Sequence, residues 1–154
     1  MESPVVIRQA THLDIPTIVA FNIAMASETE DKGLNPTTLQ QGVSEVLRNP
    51  VKGFYLVAVL SETVVGQLMI TYEWSDWRNG YFWWIQSVYV NQDHRKRGVY
   101  KALNEEVLNL ARLNGGICGI RLYVDKDNTA AQQVYRNLGM SESNYHMYEI
   151  ELGQ

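Results

Sequence analysis

The chain has little of several things that would fix a protein's role at once. It holds one cysteine, Cys118, so no disulfide can form within it, and its three histidines, His12, His94 and His146, make no zinc spacing. No metal site is expected. No apolar run approaches the roughly 20 residues that a membrane helix needs. Met1-Glu2-Ser3-Pro4 lacks the basic and apolar regions of a secretory signal, so a cytoplasmic location is expected. Positive charge is scarce too: 13 Lys and Arg against 17 Asp and Glu leave a net charge of −4. That disfavours nucleic acid or an anionic membrane as partner, while leaving room for one local basic site. What is present is 154 residues, 45% hydrophobic and 19% charged. This suffices for one core and is too short for two, so a single domain over residues 1–154 is expected.

The apolar periodicity gives the order of elements. Val5-Val6-Ile7 reads as a short strand. Thr11 then caps a helix with Asp14 in its first turn and Ile15, Ile18 and Val19 on one face, running to about Ser27. Glu28 to Gly33 reads as a polar loop. Asn35-Pro36 opens a second helix carrying Leu39, Val43, Val46 and Leu47. Phe54–Leu60 and Val64 to Trp74 form a hairpin about Ser61-Glu62-Thr63, and Tyr81–Val90 adds a third strand. Val99, Leu103, Val107 and Leu110 mark a helix stopped by Asn114-Gly115-Gly116, and Ile117–Val124 is a strand. Asp127 or Asn128 caps a last helix ended by Gly139, and Tyr145–Leu152 closes the chain as a strand. The order β-α-α-β-β-β-α-β-α-β is that of an α/β protein. Its β-α-β crossover at 81–124 requires two parallel strands in a mixed sheet with helices on both faces.

The segment from Val88 to Leu103 carries the strongest chemical signal: a strand, the basic turn Arg95-Lys96-Arg97-Gly98, then an amphipathic helix holding Lys101. Free N–H groups and the positive dipole end of a helix make an anion site, and Gly98 lets a phosphate approach the backbone. A basic cluster taken alone is more often a solvated turn, but strand, glycine and helix in this order are the setting of a phosphate cradle. No glycine stands two residues before Gly98 and no Gly-Lys-Ser/Thr follows, which excludes dinucleotide and P-loop motifs.

Arg95-x-x-Gly98-x-Tyr100 is similar to the Gln/Arg-x-x-Gly-x-Gly/Ala pyrophosphate motif of the GNAT superfamily of acetyl-CoA-dependent N-acetyltransferases, departing at Tyr100. Asn128-x-x-Ala131-x-x-x-Tyr135-x-x-x-Gly139-Met140 resembles that superfamily's second conserved block. The resemblance spans nearly the whole chain. It implies an α+β fold with a mixed, largely antiparallel sheet of about six or seven strands. It implies acetyl-CoA as acetyl donor, held by Val88, Tyr89 and Val90 along the pantetheine arm, by Arg95, Lys96, Arg97, Gly98, Val99, Tyr100 and Lys101 at the pyrophosphate, and by Asn128. It implies Tyr135 as the acid that protonates the departing thiolate, and a backbone N–H near Val88 as oxyanion donor. Where several amine acetyltransferases of the family carry a glutamate, this chain has Gln86, which cannot take a proton at neutral pH. Either the amine proton leaves through water, or a carboxylate from elsewhere serves as base.

For the acceptor, Glu28, Glu30 and Asp31 form an acidic patch suited to a cationic amine, with Glu73 a further carboxylate. Of the adjacent Trp83 and Trp84 only one can face a given side of the sheet; the other packs, and Trp84 is the candidate for the acceptor cleft. Cys118 and His146 are read as structural residues. The reading as a whole is an N-acetyltransferase moving an acetyl group to a primary amine, a small molecule rather than a protein, in a ternary complex. The aromatic surplus permits a homodimer. The competing reading is a non-catalytic acyl-CoA-binding module of the same fold.

Overall fold

The computed structural model describes residues 4–30 and 32–153, and of Glu30 only the backbone. Strand β1 (Val6–Gln9) passes through a short 3-10 turn at His12–Asp14 into helices α1 (Ile15–Glu30) and α2 (Pro36–Arg48). Strands β2 (Phe54–Leu60), β3 (Thr63–Ser75) and β4 (Gly80–Val90) follow, then helix α3 (Val99–Asn114), strand β5 (Ile117–Arg121) and helix α4 (Thr129–Asn137). The chain divides into two compact units, one reaching to Leu122 and the other starting at Tyr123.

Local chemistry sets the boundaries. Asn35 caps α2 by accepting from the Thr38 N–H at 3.0 Å, with Pro36 in the first turn where no N–H is needed. Thr11 donates its N–H to Asp14 at 2.8 Å, and Arg8 grips the same carboxylate at 2.7 and 3.0 Å, pinning the end of β1 to the start of α1. The β2–β3 connection is tight because Ser61 and Glu62 both take positive φ (49° and 66°), the twist that suits a two-residue hairpin.

The first unit holds one five-stranded sheet in the order β1-β2-β3-β4-β5, antiparallel except for the parallel β4–β5 pair that the crossover requires. One face packs on α3: Leu56, Ala58, Leu68, Ile70, Trp83 and Ile85 meet Val99, Leu103 and Val107. The other face packs on α1 and α2, where Tyr55, Val57 and Met69 meet Ile18, Leu39 and Val43.

Four expectations need correction. The first strand lies at Val6–Gln9 instead of Val5–Ile7, set by its pairing with β2 from Val6↔Val59 to Gln9↔Leu56. The loop expected from Glu28 is helix as far as Glu30, because no breaker occurs before Gly33 and Thr29 back-bonds the Met25 carbonyl at 2.7 Å. The sheet has five strands where about six or seven were expected. The closing strand at Tyr145–Leu152 is not formed: residues 141–153 take neither helix nor strand. Alternation encodes the capacity to pair, and pairing needs a neighbouring strand.

Candidate active site

The site begins as an interruption in β4. Across the β3–β4 pair Gln67 faces Tyr89 and Met69 faces Gln86, so Ser87 and Val88 together oppose Leu68: a bulge, with Ser87 at φ 53°. Its geometry is held from beneath. The fully buried Gln67 donates its Nε2 to the Ser87 carbonyl at 3.1 Å, and the buried Tyr55 hydroxyl is hydrogen-bonded to the side chains of Ser87 and Asn22. On its other side β4 pairs with β5 only from Tyr81 to Trp84. Among the described residues the main-chain edge of β4 beyond Trp84, through Val88 and Val90, has no strand beside it on that side, and an extended ligand can pair there.

That open edge runs straight into the basic turn. Gly98 takes φ 80° in the left-handed region, where a side chain is strained; a Cβ there would meet nothing within 4 Å, so conformation rather than space demands glycine. No side chain caps α3, so its first-turn N–H groups lack the usual side-chain partner. Lys96, Arg97 and Lys101 are exposed around them. Val99 is buried and can contribute only main chain. Tyr100, which departs from the family motif, packs against the core shared by α3 and the sheet.

Arg95 has a different place from the other basic residues. Its Nε donates to the Val90 carbonyl at 2.8 Å, its guanidinium lies 5.3 Å from the Tyr89 ring centre, and its Nη2 meets Glu28 at 2.8 Å. Glu28 also accepts from the Tyr89 hydroxyl at 3.2 Å and from Gln92 at 3.0 Å. Arg95 and these partners hold the Glu28 carboxyl below its ordinary range. Glu28, expected as an acceptor-binding acid, is thus placed where it ties helix α1 to the basic turn. The expectations for the Glu30 side chain and for Asp31 lie outside the described residues.

A second polar group lies on the α1/α2 face toward the hairpin end. Gln86 donates Nε2 to Thr71 Oγ1 at 2.6 Å, which leaves its amide oxygen as the atom to receive a donor. The half-buried Trp84 donates its indole N–H to Glu73 at 2.8 Å, and Arg121 meets the same carboxylate at 3.0 Å while stacking 3.6 Å from the Phe82 ring centre. Trp83 is core, so the choice between the two tryptophans falls to Trp84 for the polar side. Thr71, Arg121, Gln67 and Tyr55 were not foreseeable as site residues, since only strand register brings them to Gln86, Glu73 and Ser87.

In the second unit Asn128 caps α4, accepting from the Ala131 N–H at 3.1 Å, and Gly139 ends the helix at φ 94°. Tyr135 is half-buried on α4, and burial raises its pKa, so at neutral pH the phenol keeps a proton to give. Among the described residues no group of His, Cys, Asp and Glu is placed to hold a metal ion, and no helix is long and apolar enough to cross a membrane.

Comparison with known proteins agrees with this geometry. Residues 20–140 match the acetyltransferase (GNAT) family. The chain belongs to the GNAT family. The crystal structure of a possible acetyltransferase from Clostridium difficile 630 is 44% identical over 97% of this chain and 99% of its own, with a TM-score of 0.91. A predicted acetyltransferase from Clostridium acetobutylicum, solved with acetyl-CoA, shares the fold at TM-score 0.78 and 18% identity over 96% of each chain. An aminoglycoside N-acetyltransferase solved with CoA shares it at TM-score 0.80 and 17% identity over 98% and 97% of the two chains. A search of curated proteins gives no match. This GNAT chain is thus an N-acetyltransferase.

Proposed function

We propose that this GNAT protein transfers the acetyl group of acetyl-CoA directly to a primary amine on a small molecule, with both substrates bound at once. One observation carries the reading: the unpaired β4 edge at Val88–Val90 leads into the uncapped N-terminus of α3, ringed by Lys96, Arg97 and Lys101. An extended pantetheine arm pairs with the first, and a pyrophosphate meets N–H groups and positive charge at the second. On the acceptor side Glu73, Trp84 and Gln86 offer one carboxylate, one aromatic face and one amide along a short stretch, recognition suited to a compact ammonium rather than to a peptide.

In this reading the amine nitrogen bonds the thioester carbon as the Gln86 oxygen accepts from an amine N–H, and the amine proton leaves through water. A main-chain N–H at the bulge near Val88 stabilises the oxyanion. The C–S bond then breaks and Tyr135 gives its proton to the thiolate. Asn128 contacts the cofactor arm. The whole chain acts as one domain, in the cytoplasm and as a homodimer. A non-catalytic acyl-CoA-binding role is the second reading, favoured by Gln86 standing where a base would be.

Calorimetric titration with acetyl-CoA, followed by thiol release over polyamines, amino acids, aminoglycosides and peptide N-termini, tests the proposal. Binding with turnover on one small-amine class is the expected result. Binding without turnover on any class favours the second reading, and turnover on peptides alone overturns the small-molecule acceptor. Tyr135→Phe should lower turnover by about tenfold or more while leaving acetyl-CoA affinity within about twofold; unchanged turnover removes Tyr135 from the chemistry.

A further inference from the structure

Two costs meet at one peptide group in β4. Ser87 takes φ 53°, a left-handed conformation that a residue with a side chain holds only where its surroundings impose it. Beside it lies Gln67, fully buried on β3. Its Nε2 donates to the Ser87 carbonyl at 3.1 Å, whereas its Oε1 is buried with no hydrogen-bond partner among the described residues. Half of this amide is therefore a burden on the fold, since methionine would fill nearly the same volume and leave no polar atom of its own unpaired. Packing does not require glutamine here, and the atom that it grips shows what does.

The Ser87 carbonyl and the Val88 N–H belong to one trans peptide, so they point in opposite directions from a single plane. Both ends of that plane are anchored. The Ser87 side chain is hydrogen-bonded to the buried Tyr55 hydroxyl, and Val88 packs against the core under α3. With the ends fixed, the freedom that remains is rotation of the plane about the line joining the two Cα atoms. A carbonyl drawn onto Gln67 sets that rotation and turns the Val88 N–H away from Gln67.

We infer that Gln67 is a positioning residue: by holding the Ser87 carbonyl it fixes the direction of the Val88 N–H, which polarises the thioester carbonyl of bound acetyl-CoA. This rests on the reading above in which a main-chain N–H near Val88 stabilises the oxyanion. Gln67 acts through the peptide that it grips. An N–H already aimed when negative charge develops on the thioester oxygen needs no reorganisation at that moment, a functional reason to keep an amide that costs the fold an unpaired oxygen.

Infrared difference spectra of acetyl-CoA labelled with carbon-13 at the acetyl carbonyl test this without an acceptor. On the native chain the carbonyl stretch should move to lower frequency on binding, because a hydrogen bond to the oxygen weakens the C=O bond. Gln67→Met should lose most of that shift while the chain stays folded and acetyl-CoA affinity stays within about threefold; with an amine that the enzyme accepts, kcat should fall about tenfold to a hundredfold. Gln67→Leu should behave alike. A native shift that Gln67→Met keeps in full overturns the positioning role alone. A large loss of affinity in the variants makes Gln67 part of the binding edge, and loss of the fold in both makes it a structural residue; either result overturns the proposal. A native chain that binds acetyl-CoA without a shift overturns the oxyanion reading itself, and the proposal with it.

Discussion

Under α3 the sheet presents Leu56, Leu68, Ile70, Trp83 and Ile85, whereas under α1 and α2 it mixes Tyr55, Val57 and Met69 with Gln67, Thr71, Glu73, Gln86 and Ser87. Both faces are made by the same strands, and alternation assigns each residue to one of them. The first face is apolar throughout and stabilises the fold by burial. The second spends part of its area on polar groups, most of them held by a neighbour: Gln86 by Thr71, Ser87 by Gln67 and Tyr55, Trp84 by Glu73, Tyr89 by Glu28. The exception is Gln67, whose Nε2 is satisfied by Ser87 but whose buried Oε1 has no hydrogen-bond partner, a cost the layer carries. The difference teaches where substitutions should act: stability under α3, chemistry under α1 and α2.

The sharpest way to break that comparison is to exchange the two effects. Leu103→Ala, at a fully buried site under α3, should cost about 2–5 kcal/mol in chemical denaturation and leave turnover per folded molecule within about twofold. A large loss of turnover without loss of stability would erase the distinction. Gln86→Leu on the opposite face should do the reverse, lowering turnover about tenfold to a hundredfold while shifting stability by about 1 kcal/mol or less. A severe loss of stability would make Gln86 a structural residue.

Two carboxylates on the α1 side sharpen the picture through pH. The hydrogen bonds from Arg8 hold the buried Asp14 below its ordinary carboxyl range, so its contribution is complete above about pH 4 and is lost as pH falls through the lowered folded value. Native stability, followed by denaturation from pH 6 to 2.5, should therefore fall more steeply than that of Asp14→Asn; parallel curves would remove Asp14 from the account. The smallest effect belongs to Glu28→Gln. Its ion pair with Arg95 is half exposed, so stability should change by about 1 kcal/mol or less. Freeing Arg95 and removing a negative charge beside the cradle should tighten acetyl-CoA binding a few-fold in low salt, an effect that salt screens. Weakened binding would show that Glu28 positions the turn and does not compete for it.

Much of the framework was legible from residue patterns. Asn35-Pro36 named the start of α2, Phe54–Leu60 matched β2 at both ends, and Asn128 and Gly139 bounded α4. Caps, glycines with positive φ and apolar periods act within a few residues, so they can be read without knowing the fold. The basic turn into α3 was legible for the same reason, because Arg95 to Lys101 is one continuous stretch. The pairing of Glu28 with Arg95 was not legible: the acid sits on α1 and the base 67 residues later, and nothing local tells an acidic loop from a helix end that meets a guanidinium. The bulge at Ser87 was equally hidden, since it depends on two residues of β4 facing one of β3.

The sequence by itself determined the order and type of the elements from β1 to α4, the glycine that lets the chain turn into α3, and the concentration of basic charge at that turn, because each depends on interactions within one segment. Only the tertiary structure decided which partners those segments use. Strand register brought Gln67 to Ser87 and Thr71 to Gln86, and the end of the β4–β5 ladder opened the edge at Val88–Val90. The physical reason is that a helix closes its hydrogen bonds within itself, whereas a strand, a bulge or an ion pair is completed by residues far away in the chain.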